Sequence, residues 1–459
     1  MREAIRTVMR EFYEDGIPGD IVAREIEYAE KLRAATVVKG MRRTGKTYVT
    51  YQRMQSLIAS GVTIEHIVHL NFEDDRIRMM KAEDLKSINE VHAELYPEAA
   101  GGKCWYFLDE LQNVEGWEAY ARRLLDSPRI TLCLTGSSSK LLSEEIATEM
   151  RGRSIPIEVF PLSFSEFLRF NGILERIPAG GYTARESGLL RKAAGVYFER
   201  GGFPDVQDVS DRMRAAILQG YVDAVLYRDI IDRHEIPNVQ ALKYTLEYLF
   251  HNFARKVSAR AISGVLANLA LPANRSSVSE YLGYFKDAYL AYAVPVRSDS
   301  LAVKRVNPDK MYLVDTGLIR AMCVKVDEER GWLLENLVFL TLRRGLNRIE
   351  YYLTRTGREI DFYVYDRVNC KSRLVQVAWS LEDERTIERE LAAMREAREE
   401  TGIKDCVIVT WDTEKEFEED GVRAVPFWKW TLEDEHTAYP AALPDRECRR
   451  LADSANGGN

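Results

Sequence analysis

Residues 40–47 read Gly-Met-Arg-Arg-Thr-Gly-Lys-Thr, a complete G-x-x-x-x-G-K-[ST]. No other stretch limits the fold of this chain so sharply. The two glycines let the backbone wrap a phosphate, and successive N–H groups with the N-terminus of a following helix supply positive potential. Lys46 is expected to reach the β- and γ-phosphates of a nucleotide, and the Thr47 hydroxyl to ligate Mg²⁺. The expected nucleotide-binding set is Gly40, Arg42, Arg43, Thr44, Gly45, Lys46 and Thr47, with Tyr48 one step into the helix. Such a loop needs a buried strand before it and a helix after it. ATVV at 35–38 and YVTYQRMQSLIAS at 48–60 meet both needs.

A second element agrees with the first. CWYFL at 104–108 is an apolar strand that ends in adjacent carboxylates, Asp109 and Glu110. Asp109 suits a Mg²⁺ contact and Glu110 suits polarising an attacking water, so the pair favours hydrolysis over simple binding. One apolar strand lies between the two motifs (69–74) and another follows them (131–137). That order fits the branch of P-loop NTPases with an extra strand between the nucleotide motifs. The predicted architecture is therefore α/β, a parallel sheet with helices on both faces. Ser137, just past the later strand, is either a γ-phosphate sensor or a turn serine. Arg151 and Arg153, in MRGRSIP, are either arginine fingers completing a neighbour's site or a solvated basic turn.

At 459 residues the chain has room for about three domains. Asp+Glu exceed Lys+Arg by 72 to 64, so the net charge of −8 excludes a general nucleic-acid coater and restricts such binding to a local patch. The six cysteines include no C-x-x-C pair, which argues against a zinc ribbon and suits a reducing compartment. The six histidines form no zinc-type spacing. No apolar run approaches membrane-spanning length and the start lacks a signal-type core, so a cytoplasmic protein without membrane contact is expected. The expected divisions are 1–180 for the nucleotide domain, 181–240 for a helical lid, 241–325 and 326–435 for two further modules, and 436–459 for a tail.

Taken together, KGMRRTGKT, LNFEDDR, YFLDELQNVEGWE, LTGSSSKLLSEEIATEMRGR and VFPLSFSEFL resemble the prokaryotic AAA-superfamily ATPases. More narrowly, the chain resembles the archaeal and bacterial group with an uncharacterised C-terminal domain. GGFPDV, YRDII, NPDKMYLVDTGL and GREIDFYV carry the resemblance to about residue 410. It implies an ATPase core, a winged-helix segment and a tail of restriction-endonuclease-like fold. It further implies ATP and Mg²⁺ as cofactors, with Gly45, Lys46, Thr47, Asp109 and Glu110 as nucleotide residues. Ser137 would be the sensor, and Arg151 or Arg153 the finger of a homo-oligomer.

The middle segment has its own pattern. ARAISGVLANLA and SSVSEYLGYFKDA are predicted as helices, the second with a serine N-cap, and VRSDSLAVKRV as a wing. Between 240 and 315 ten basic residues face six acidic ones, so DNA, if bound, is expected through 241–325. The predicted reading helix offers few basic or amide side chains, and a domain-packing module is the alternative. In the tail, Glu335 and Asp361 match two carboxylates of a metal-dependent nuclease. Where such an enzyme carries Glu-x-Lys, this chain reads Gln376-Val377-Ala378. An amide is a poor ligand for a hard dication and alanine carries no charge, so the tail is read as lacking nuclease activity. A signalling or DNA-binding scaffold with incidental hydrolysis is the alternative to an ATPase that couples nucleotide state to its C-terminal modules.

Overall fold

The computed structural model describes residues 1–28, 32–137, 152–177, 182–271, 273–323, 326–345, 347–367 and 369–433. Arg151 and the 436–459 tail lie outside them. The first sheet holds β1 (Ala35–Lys39), β2 (Ile67–Asn71), β3 (Cys104–Asp109), β4 (Ile130–Gly136) and β5 (Ser154–Glu158), all parallel, in the order β2-β3-β4-β1-β5. β2 and β3 are buried almost along their whole length, as expected of strands covered on both faces. The polar β5, SIPIE, was not anticipated; its register against β1 holds it in place. Because β4 separates β1 from β3, the loops leaving the three strands meet at one carboxyl edge, where open α/β sheets bind ligands.

Helices Ala184–Arg200 and Asp211–Ala224 follow, the second running into a π-turn at Val225–Ile230. The middle module consists of helices Val239–His251, Ala259–Asn268 and Arg275–Asp287 with β6 (Arg255–Val257), β7 (Ala291–Val294) and β8 (Asp309–Leu313), antiparallel in the order β6-β8-β7. Two expectations are corrected here. Helix Arg275–Asp287 is capped by Asn274, whose side chain accepts from the Ser277 N–H, not by a serine. The stretch read as a wing forms a short helix, Leu301–Val306, between β7 and β8, with Ser300 as its cap.

The last module is a six-stranded mixed sheet: β9 (Arg348–Leu353), β10 (Glu359–Asp366), β11 (Lys371–Ala378), β12 (Cys406–Thr410), β13 (Lys415–Phe417) and β14 (Val422–Pro426), in the order β13-β14-β12-β11-β10-β9. The β13 edge strand comes from the acidic stretch 414–420. Helix Glu384–Thr401 covers one face through Leu391 and Met394, and helix Arg330–Arg344 covers the other through Val338 and Phe339. Trp428 and Trp430 are buried in the core, and Trp379 stacks on Trp411 (4.9 Å between centroids), both half-buried and packed against it.

The modules share an apolar core that runs from Met41 of the phosphate loop to Trp430. Two of the motifs noted above turn out to be a joint in it. Asp315 of YLVDTGL accepts the Gly202 N–H (2.7 Å) and caps helix Thr316–Met322 through the Leu318 N–H (2.9 Å). A Cβ on Gly202 would stand 2.3 Å from the Leu162 carbonyl, so only glycine permits this approach.

Candidate functional site

The phosphate loop leaves β1 at Gly40, which has φ +148° and lies so close to β5 that a Cβ would sit 2.2 Å from the Val159 carbonyl oxygen. Arg43 (φ +66°) and Gly45 (φ +93°) complete the turn, and Gly45 precedes helix Lys46–Ala59. The loop is braced from within by the Met41 carbonyl, which accepts from the Thr44 hydroxyl (2.9 Å) and from Lys46 Nζ (3.1 Å). Arg24 braces it from below. Its guanidinium donates to the Thr44 carbonyl (2.9 Å) and the Phe160 carbonyl (2.7 Å) and pairs with Glu166 (2.9 Å). Burial raises the Glu166 carboxyl, but the charges of Arg24 and Arg344 overcome it and hold the group down at about 2.

Asp109 and Glu110 arrive beside this loop from β3. Asp109 accepts from the Thr47 hydroxyl (2.7 Å) and from the Thr135 hydroxyl of β4. Burial, then the adjacent Glu110 charge, pushes the Asp109 carboxyl up to about 7. Glu110 adopts φ +55°, with its N–H donating to the Thr135 carbonyl (3.1 Å), and its carboxylate lies 3.9 Å from Lys46 Nζ. It also accepts from Gln112 and, at 3.4 Å, from the Ser137 hydroxyl. Burial lowers the Lys46 ammonium below its ordinary value, and the charges of Glu110 and Asp109 offset this only in part. Two buried carboxylates, a threonine hydroxyl and one loosely held lysine thus share a small volume. A hard dication fits that donor set: Thr47 and Asp109 are oxygen donors already in contact, and a cation would stabilise the ionised Asp109 carboxylate that burial and Glu110 disfavour.

The fold brings Lys46, Thr47, Asp109, Glu110 and Ser137 together. Tyr48 is exposed, edge-on to Tyr51 (5.9 Å), and Arg43 lies over the Tyr221 ring (5.9 Å). Arg153 is elsewhere: it precedes β5 at the amino edge of the sheet and pairs with Asp126 (2.9 Å). Sequence reasoning missed Asp229, in the π-turn. Its buried carboxylate pairs with Arg42 (2.8 Å) and Arg233 (3.3 Å) and accepts from the Ser137 hydroxyl (3.3 Å). Arg42 reaches on to Glu73 (2.7 Å). An acid inside the apolar run AVLYRDII was the available signal, because a buried charge demands a partner. π-turns recur at functional sites.

A protein of Methanocaldococcus jannaschii, the uncharacterized protein MJ1544, is 32% identical over 424 residues, covering 90% of this chain and 91% of its own. The chain belongs to the same family. An uncharacterized protein of Haemophilus influenzae is 29% identical over 406 residues, covering 86% and 94% respectively. Residues 32–168 match the AAA domain family, and residues 192–330 match a domain of unknown function, DUF8612. The first module is thus an ATP-binding P-loop domain of the AAA class. Among solved structures, the Walker-type ATPase PABY2304 of Pyrococcus abyssi is similar at TM-score 0.40 and 15% identity, over 68% of this chain and 97% of its own. Among the described residues no helix is long and apolar enough to cross a membrane.

Proposed function

We propose that this AAA domain hydrolyses ATP with Mg²⁺ and passes its nucleotide state to the C-terminal modules. The observation that carries the reading is the convergence of Lys46, Thr47, Asp109 and Glu110 on one buried point at the sheet's carboxyl edge. Lys46 is free to exchange its contact with the Met41 carbonyl for the β- and γ-phosphates. Thr47 and Asp109 would hold Mg²⁺, which supplies charge neutralisation of the phosphates when bound. Glu110 orients and polarises the attacking water, with Ser137 between it and Asp229 as the sensor. Arg42, Arg43, Thr44 and Tyr48 complete the nucleotide set. Arg153, together with Arg151, is left for a neighbouring copy.

Two routes support the relay. Asp229 joins the lid to Arg42 of the loop. Behind the loop, Arg24 links the Thr44 carbonyl to Glu166, which also lies 3.9 Å from Arg344 of the tail helix Arg330–Arg344. DNA bound through 241–325 is the weaker reading, because the basic surplus there is spent internally. Arg255, Lys256, Arg297, Lys304 and Lys310 pair with Glu329, Glu359, Glu350 and Glu335.

Phosphate release and nucleotide binding test the proposal. Lys46→Ala should lose nucleotide binding, whereas Glu110→Gln should bind and not turn over. Wild-type rates in both variants would refute it. Light scattering with and without ATP tests the finger assignment, which fails if no association follows nucleotide.

A further inference from the structure

The carboxylates Glu335 and Asp361, read from sequence as remnants of a nuclease metal site, do meet in space, with a cation between them. Lys310 Nζ, from β8 of the middle module, lies 2.7 Å from Glu335, 2.9 Å from Asp361 and 2.8 Å from Glu359. All three of its hydrogens therefore have a carboxylate within bonding distance. Two of these carboxylates have further protein partners. The Tyr312 hydroxyl donates to Glu335 (2.7 Å), and the Val377 N–H donates to the second oxygen of Asp361 (3.0 Å).

The departure at Gln376 belongs to the same design. Its amide oxygen accepts the Asp361 N–H (3.1 Å) while its amide nitrogen donates to Glu390 (2.8 Å). A glutamate at 376 would make the first contact and repel Glu390 in the second. The neighbouring cations are also committed: Lys256 pairs with Glu359 (2.5 Å) and Arg373 with Asp405 (2.7 Å). A dication does not fit here, since the ammonium stands among the carboxylates that would bind it.

We propose that this cluster is a metal site whose cation has been replaced by the Lys310 ammonium, which turns a cation-binding centre into a clasp between the middle and tail modules. The surrounding contacts run across the same seam. The Tyr351 hydroxyl donates to the Pro308 carbonyl (2.9 Å), the Arg297 N–H donates to the Tyr351 carbonyl (2.7 Å), and Tyr312 stacks on Phe339 (4.3 Å). A buried ammonium and carboxylates matched in this way tolerate joint neutralisation far better than loss of one member.

The test uses the full chain without nucleotide, titrated with Mn²⁺ and followed by calorimetry and thermal unfolding. The parent should show no Mn²⁺ binding that depends on Asp361. Lys310→Met should melt several degrees lower and recover as Mn²⁺ is added, and the recovery should vanish in Lys310→Met/Asp361→Asn. Lys310→Met/Glu335→Gln/Asp361→Asn should melt above the single variant, and this arm decides the matter if Lys310→Met alone does not fold. Four results would overturn the proposal. They are a parent Mn²⁺ site lost on Asp361→Asn, Mg²⁺-dependent DNA cleavage lost on that change, a folded Lys310→Met without Mn²⁺ rescue, and a triple variant no more stable than the single one.

Discussion

Two places in this chain set a lysine against a pair of buried carboxylates, and they differ in how completely the lysine is used. In the AAA domain Lys46 touches the Met41 carbonyl and stands 3.9 Å from Glu110, while Asp109 accepts from the Thr47 and Thr135 hydroxyls. At the seam between the middle and last modules Lys310 has three carboxylates within 2.9 Å. The first arrangement leaves Asp109 without a matched cation for its ionised form, and so has something to gain from a nucleotide and a metal ion. The second is already neutralised by the protein and holds two modules together. The same residue types give a reactive site or a structural one according to whether partners remain to be found.

The widest gap between the two sites should lie in turnover. Glu110→Gln is expected to lower ATP hydrolysis by about 10²–10⁴-fold, the range for removing a positioned general base. Glu335→Gln should leave phosphate release near the parent rate. Equal losses in both variants would erase the distinction drawn here.

Stability should divide the sites in the opposite direction. Removing one partner of a matched buried cluster costs about 3–5 kcal/mol, and Lys310→Met is expected to fall in that range by denaturant unfolding. Lys46→Met removes an ammonium whose burial is poorly compensated, and should cost less than about 1 kcal/mol in the nucleotide-free protein. Lys46→Met destabilising as much as Lys310→Met would mean the loop lysine is a structural pair as well.

The two sites were unequally legible in the sequence, for a physical reason. Gly40 to Thr47 and Asp109–Glu110 are short segments whose chemistry follows from local spacing, so β1 to β4, the loop and the carboxylate pair could be placed from sequence. Gln376 and Ala378 were legible as departures from the Glu-x-Lys pattern that the tail resembles. What compensates for them was not, because Lys310 comes from another module and meets Asp361 only through the packing of β8 against β10 and the tail helix. Asp229 escaped for the same reason, being 187 residues from its partner Arg42. The serine cap and the extended wing failed because local propensity left neighbouring choices open. Asn274 offered the first helix turn an equally good acceptor, and residues 301–306 found a cap in Ser300.

Asp229 gives a smaller and more informative contrast. It holds Arg42 and Arg233 by charge at the edge of the nucleotide site, so Asp229→Asn should free both cations toward the phosphates. ATP affinity should rise by about tenfold, equivalent to about 1.4 kcal/mol, as read by titration with a fluorescent nucleotide. Weaker binding instead would mean that Asp229 positions Arg42 for the nucleotide and does not restrain it.

The finest difference is a proton. Burial, then the charge of Glu110, raises Asp109 from the ordinary carboxyl value of 3.8 to about 7. The folded, nucleotide-free protein therefore keeps a proton that the unfolded chain has released. The contribution of this group to stability falls as pH rises between about 4 and 7. Binding Mg²⁺ and nucleotide requires the ionised carboxylate and should expel that proton, about half of one per site near pH 7. Calorimetry in two buffers of different ionisation enthalpy measures the release, which Asp109→Asn should abolish. Glu335 is raised too, by burial and then by Asp361, but its cation is built in and nucleotide does not reach it. Glu335→Gln should therefore leave the proton release intact, and a release that followed Glu335 would show that nucleotide binding opens the clasp.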